Sequence, residues 1–212
     1  MHSSRRTDGR TTTAPAAAPA GTVVTVELAV ISTVLGGILA FAAGIGKLSG
    51  NWLIKGLAVI YIEVFRGTSL LVQMFWLFFA LPLIGISLDP FVAGIAALSL
   101  NIGAYGAEVV RGAIQAVPVG QYEAATAVNF TRRYTLWNVV LPQALVEMMP
   151  PFGNLDVQNL KDTALVSLIT LTDLTFAAQT VRNLTHESIP AFTATLVIYF
   201  VLAMIFLAGM RA

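Results

Sequence analysis

Long apolar runs separated by short polar breaks set the rhythm of this chain. A bilayer core of roughly 30 Å takes about 20 apolar residues per helix. The first run extends from about Gly21 to Gly46 and stops at Lys47. A second starts near Trp52 and reaches about Ile86, too long for one simple crossing and interrupted by Glu63, Arg66, Gly67 and Thr68. A third covers about Pro90 to Val110. From about Gln143 to Leu171 the sequence is apolar but broken by Pro150-Pro151, Gly153 and Lys161-Asp162. Residues 173 to 188 are polar and helix-compatible, as an interfacial segment would be, and the last run covers about Ile189 to Met210. Backbone groups in lipid must pair within their own segment, and the short alternating strands of a barrel do not occur. The pattern predicts an all-α integral membrane protein of about five transmembrane helices.

Composition agrees. Of 212 residues, 57% are hydrophobic and 11% charged, against about 25% charged in soluble domains. A net charge of +1 gives no electrostatic case for nucleic acid. There is no cysteine, hence no disulfide framework or thiol nucleophile. The only histidines, His2 and His186, lie far apart, which leaves no basis for a metal or haem site. Residues 1–20 form a low-complexity tail of Thr, Ala, Pro and Arg, expected to be disordered. Its Arg5-Arg6 pair lacks the closely following apolar run of a twin-arginine signal. With the N-terminus outside, Lys47, Lys55, Arg111, Arg132, Arg133 and Arg211 fall on the cytoplasmic side, a modest bias in the expected direction.

The polar run QYEAATAVNFTRRYTLWNVVLP, Gln121 to Pro142, does not belong in lipid. It reads as two short helical pieces joined at Asn129. Ala124 and Ala125 give the first piece a small face that a partner groove can approach closely. Glu123 lies near that helix's N-terminus, where the dipole favours a carboxylate. Thr131 can cap the second piece. Arg132 and Arg133 then fall in its first turn, where the dipole disfavours cations, and a further partner must hold them: anionic lipid headgroups or acidic residues of another protein.

The pattern Glu123-Ala124-Ala125, a turn position at 129, then Leu141-Pro142 resembles the cytoplasmic EAA loop of ABC importer permease subunits. FRGTSLLVQ (Phe65 to Gln73), GAYGAEVVRGAI (Gly103 to Ile114) followed by VPVGQYEAA, and LKDTALVSLI (Leu160 to Ile169) resemble the polar amino-acid branch of that family. Finer features are similar to importers of ectoine and hydroxyectoine: Ser69, PPFGN after Pro150, and TDLTFAAQ at 172–179. The resemblance implies a MetI-like permease domain over residues 21–212, with a coupling loop at about 112–142. That loop would include Gly120, Glu123, Ala124, Ala125, Asn129, Arg132, Arg133, Leu141 and Pro142. It also implies a prokaryotic cytoplasmic-membrane location, a second permease subunit, an extracytoplasmic solute-binding protein and ATPase subunits that carry the ATP and Mg. This chain has no GxxxxGK[ST] loop of its own and is expected to bind no cofactor. Two departures stand out: Asn129 replaces the family's usual turn glycine, and the sequence stops at Arg211-Ala212, where relatives continue into a short charged tail, so a shortened C-terminus is expected.

Ionisable residues at membrane depth mark paths or structural locks. Glu63 and Arg66, like Glu108 and Arg111, are three apart and can pair locally near the cytoplasmic interface; a gate contact between subunits is the competing, functional reading. Lys161, Asp162 and Thr163 follow the proline–glycine break and can line a cavity there. A zwitterion's two charges would suit Lys161 and Asp162 in opposite roles; mutual neutralisation is the competing reading. Gln73 and Asn101 are better suited to interhelical hydrogen bonds than to solute contact. Glu27 is a lone carboxylate expected near the outer interface or facing another helix. An ion-coupled secondary transporter is the alternative; it predicts inverted repeats, which the sequence does not display. A membrane enzyme would need a convergent nucleophile and base, and none is present.

Overall fold

A computed structural model describes residues 14–211. Its helices are α1 (Ala14–Lys47), α2 (Trp52–Gly67), α3 (Leu70–Phe75), α4 (Pro90–Ala116), α5 (Val119–Ala127), α6 (Arg132–Thr135), α7 (Leu141–Asp162), α8 (Leu174–Thr185) and α9 (Ser188–Arg211). No strand occurs among the described residues. Three segments are long and apolar enough to span unaided: Pro19–Lys47, Pro90–Ala116 and Ser188–Gly209. Two bent pairs bring the number to the expected five. Trp52–Gly67 turns by 104° into Leu70–Ile84, and Arg132–Ile169 turns by 54° into Leu174–Thr185.

Small residues decide how the two central helices pack. Gly36, Ala40 and Gly44 of α1 face Ile102, Gly106 and Ala107 of α4. A Cβ on Gly44 would meet the Ala107 carbonyl at 2.7 Å, and one on Gly106 would meet the Ala40 Cβ at 2.7 Å. Such close backbone approach is how membrane helices associate without a hydrophobic driving force between them. Two apolar clusters flank the seam. Leu28, Met74, Ala93, Ala97, Leu98, Val166 and Ile169 fill one, and Val110, Ala113, Ile114, Val117, Val140, Leu141, Ala144 and Met148 fill the other.

Three boundaries differ from expectation. Helix α1 begins at Ala14 rather than near Gly21, because the alanine-rich start favours helix; residues 1–13, the rest of the expected disordered tail, lie outside the described residues. Helix α4 continues past Val110 to Ala116, its cation Arg111 being paired with Glu108. Pro150-Pro151 and Gly153 do not break α7, which is continuous from Leu141 to Asp162. Met148 and Gly153 are buried, and Phe152 stacks on Phe41 at 6.1 Å. Packing on neighbouring helices carries α7 through its prolines, as membrane helices allow. The departure from α geometry comes later, where Thr163–Ile169 tightens into a 3-10 helix ending at Thr170 in left-handed backbone.

Candidate functional site

The bend after α2 frees backbone carbonyls, and side chains take them up. The Gln73 amide donates to the carbonyls of Phe65 (2.8 Å) and Thr68 (3.2 Å) and to Thr68 Oγ1 (2.7 Å). Asn101 of α4 donates to the Phe65 carbonyl at 3.2 Å and to Gln73 Oε1 at 3.3 Å. Gln73 is therefore a buried clamp on the break, tied to α4 by the kind of interhelical hydrogen bond its amide suits. In front of it lies a cleft of about 360 Å³, lined by Thr68, Ser69, Asn101, Tyr105, Gln158, Asn159 and Asp162 among others.

Asp162 enters this cleft with its Oδ1 accepting from Gln158 at 3.0 Å. Lys161 does not line it. Neighbours on a helix diverge by about 100°, and no ion pair joins the two among the described residues. Thr163 is buried and donates to the Leu160 carbonyl at 2.7 Å. The real cleft face of α7 is Leu155, Gln158, Asn159 and Asp162, an i, i+3, i+4, i+7 stripe legible in the sequence by its spacing. Asn159 and Asp156 also tie α7 to α1. Asn159 Nδ2 donates to Ser32 Oγ (2.7 Å) and Thr33 Oγ1 (3.1 Å), and Thr33 hydrogen-bonds the Asp156 carboxylate. Asp173, fully buried, caps α8 by accepting from the Phe176 amide at 2.9 Å. Glu27 is exposed and makes no ion pair among the described residues.

At the other end of α4, Glu108 organises the charges. Lys47 Nζ lies 2.6 Å from its Oε1, and Arg111 lies 2.8 Å from its Oε2. Arg66 reaches the same carboxylate at 4.0 Å and stacks over Tyr105, 5.5 Å from the ring centre. The expected Glu108–Arg111 pair forms. Glu63 and Arg66 instead turn away from each other, Glu63 to Lys47 at 3.6 Å and Arg66 to Glu108. Three helices thus meet at one carboxylate, and Arg66 connects that hub to the cleft wall at Tyr105.

The polar run folds as its chemistry suggests. Helix α5 ends at Ala127, and the chain turns at Asn129, with φ of 62°. Phe130 donates to the Ala125 carbonyl (3.0 Å) and Asn129 to that of Thr126 (2.9 Å). This is a Schellman closure with asparagine in the position glycine usually takes. Thr131 caps α6 by accepting from Tyr134 N at 3.3 Å, and a π-helical turn, Leu136–Val140, leads into α7 with Leu141 buried and Pro142 in its first turn. Gly120, Glu123 and Ala124 are exposed, whereas Ala125 is buried. The small outward face is therefore Gly120 and Ala124, one turn apart, rather than the two alanines. Tyr122, which the sequence reading passed over, fixes the helix to the body. Its hydroxyl donates to the Ile114 carbonyl at 3.1 Å, and burial raises the phenol above its ordinary pKa.

A bundle of long and bent apolar helices with a polar cleft, joined by one helix to an outward-facing helical loop, is the architecture of a membrane transport subunit. Residues 32–212 match the family described as "Binding-protein-dependent transport system inner membrane component". The chain belongs to this family of multi-pass permease components of ABC transporters. It is 56% identical to a probable amino-acid ABC transporter permease, y4tF, of Sinorhizobium fredii, over 90% of this chain and 83% of that one. The L-cystine permease TcyB of Bacillus subtilis is 38% identical (77% and 71% covered), and the glutamine permease GlnP of Escherichia coli is 33% identical (87% and 85%). The crystal structure of an amino acid ABC transporter with histidines superposes with a TM-score of 0.88 at 33% identity, covering 95% and 94% of the two chains. The MetNI methionine transporter, at TM-score 0.76 and 17% identity over 92% and 93%, shares the fold.

Proposed function

We propose that this chain is the translocating subunit of an ATP-driven importer for small zwitterions of the amino-acid class. One observation carries the reading: a single helix, α4, serves both the cleft and the loop. Leu98, Asn101, Ile102 and Tyr105 line the cleft, while Val110, Ala113 and Ile114 seat the coupling loop in the cluster that includes Tyr122. Asn101 and Ile114 are about 20 Å apart at 1.5 Å per residue. A displacement of α5 by docked ATPase subunits would reach the cleft through this rod and the Glu108 hub. ATP and Mg would sit on those ATPases. A second permease subunit, identical or related, would complete the pathway, and an extracytoplasmic binding protein would deliver the solute.

Asp162 suits the cationic end of such a solute, and the Gln158 amide, which spends one N–H on Asp162, suits its carboxylate through the other. The relatives named above transport amino acids by their names, which supports that class. The finer reading, ectoine or hydroxyectoine, rests on Ser69, PPFGN and TDLTFAAQ alone. Uptake into proteoliposomes containing the chain with its ATPase, partner permease and binding protein decides between them. Labelled ectoine that enters with ATP and resists excess amino acid would establish the compatible-solute reading. Competition by one amino acid would replace it while keeping the importer. Accumulation without the ATPase would overturn the coupling account in favour of an ion-driven transporter.

A further inference from the structure

The cations at the loop end of α4 fall into two kinds. Lys47, Arg66 and Arg111 converge on Glu108. Lys55, Arg132 and Arg133 have no carboxylate within ion-pair distance among the described residues. The unpaired cations share a second property, an exposed tryptophan within a helical turn or so. Trp52, 78% exposed, precedes Lys55 in the first turn of α2, and Trp137, 52% exposed, follows Arg133. Arg133, Tyr134, Trp137, Asn138 and Thr131 enclose an open cleft of about 420 Å³ at the point where the chain returns toward α7. Lys55 borders a second cleft, of about 340 Å³, with Ser49, Gln115 and the Glu108-paired Lys47 and Arg111; Trp52 lies one turn before it on α2, outside the lining of that cleft.

A guanidinium or ammonium beside an amphipathic aromatic ring, at the mouth of a spanning helix, matches the headgroup layer of a bilayer. The ring settles at the interface, and the cation meets the phosphate of an anionic lipid. An ATPase surface would not require exposed indoles at both places. We infer that Arg133 and Trp137, with the exposed Arg132 beside their cleft, form a binding site for the headgroup of an anionic phospholipid on the cytoplasmic leaflet, with Lys55 and Trp52 forming a second one. The coupling loop is thereby divided: α5 faces the ATPase, and the α6 end is moored to the membrane.

The test uses the complete transporter in nanodiscs of phosphatidylglycerol mixed with phosphatidylcholine, with lipid retention followed by native mass spectrometry. Wild type should retain phosphatidylglycerol in preference to phosphatidylcholine. Arg132→Gln with Arg133→Gln should weaken that retention about 25-fold, at about fivefold per cation, and keep the ATPase bound. Arg132→Lys with Arg133→Lys should restore most of it. Equal retention of both lipids by wild type would overturn the proposal. So would unchanged retention in the glutamine variant, and if that variant also sheds its ATPase, the arginines belong to the protein interface.

Discussion

The polar loop proposed to couple to the ATPase follows the C-terminal end of α4, the cleft lies at its middle, and the two are held differently. In the loop, the chain is closed by neighbours in sequence, through the backbone bonds of the Schellman turn at Asn129, the Thr131 side-chain cap and the Tyr122 hydroxyl, so Gly120, Glu123 and Ala124 stay free to face outward. In the cleft, side chains from another helix help close the backbone: Gln73 and Asn101 take up carbonyls freed by the 104° bend, leaving Asp162 and Gln158 as polar lining. The difference teaches that an outward loop can be held by local ties, whereas a broken span can persist in lipid only where polar side chains replace the missing ladder. Substitutions at the two places should therefore fail differently. Changes in the loop should disconnect ATP hydrolysis from uptake, and changes in the cleft should alter the solute.

The largest effect should come from the hub between them. Glu108→Gln strands Lys47 and Arg111 and should cost about 2–3 kcal/mol of stability once screening at this part-exposed site is allowed for, read as a lower melting temperature of the purified complex. Glu63→Gln, whose side chain is 63% exposed, should stay within about 0.5 kcal/mol of wild type. Next, Glu123→Lys reverses the charge proposed to dock the ATPase and should lower ATP-dependent uptake about 30-fold, the scale of a 2 kcal/mol interface contact, with membrane insertion intact. Asp162→Asn removes the anionic lining and should raise the KM of uptake about tenfold, since a bond to a charged group contributes about 1.5–3 kcal/mol, while ATP hydrolysis continues.

Asn129 distinguishes turn from side chain. Glycine there should support full uptake, and valine, which tolerates left-handed backbone poorly, should lose about 1–2 kcal/mol of loop stability, detectable as faster amide exchange confined to α5 and α6. Tyr122→Phe should have the smallest effect. It loses one hydrogen bond, about 1 kcal/mol, and should leave solute affinity unchanged while modestly reducing uptake per ATP hydrolysed.

The loop is legible in the sequence because its determinants are local. A cap residue, a turn-tolerant asparagine and a following threonine act within a few positions of themselves. The five spans are legible from apolar length. The cleft is less so, since its lining comes from residues 68–70, 98–105 and 155–162, joined only by the glycine seam between α1 and α4 and the bend after α2. Pro150-Pro151 looks like a break because local preference ends helices at proline, and tertiary packing on Phe41 and α4 overrides it. Glu63 and Arg66 have pairing geometry along their helix, but Lys47 and Glu108 offer each a better partner from another segment.

The central claim is that α5, displaced together with the docked ATPase, drives the cleft. The chain has no cysteine, so Ala124→Cys, paired with a cysteine on the ATPase surface, gives one addressable crosslink in the reconstituted transporter. The account predicts that the crosslink forms and that the crosslinked transporter keeps ATP-dependent uptake. Failure of the crosslink to form, or uptake that proceeds with no ATPase present, would contradict it.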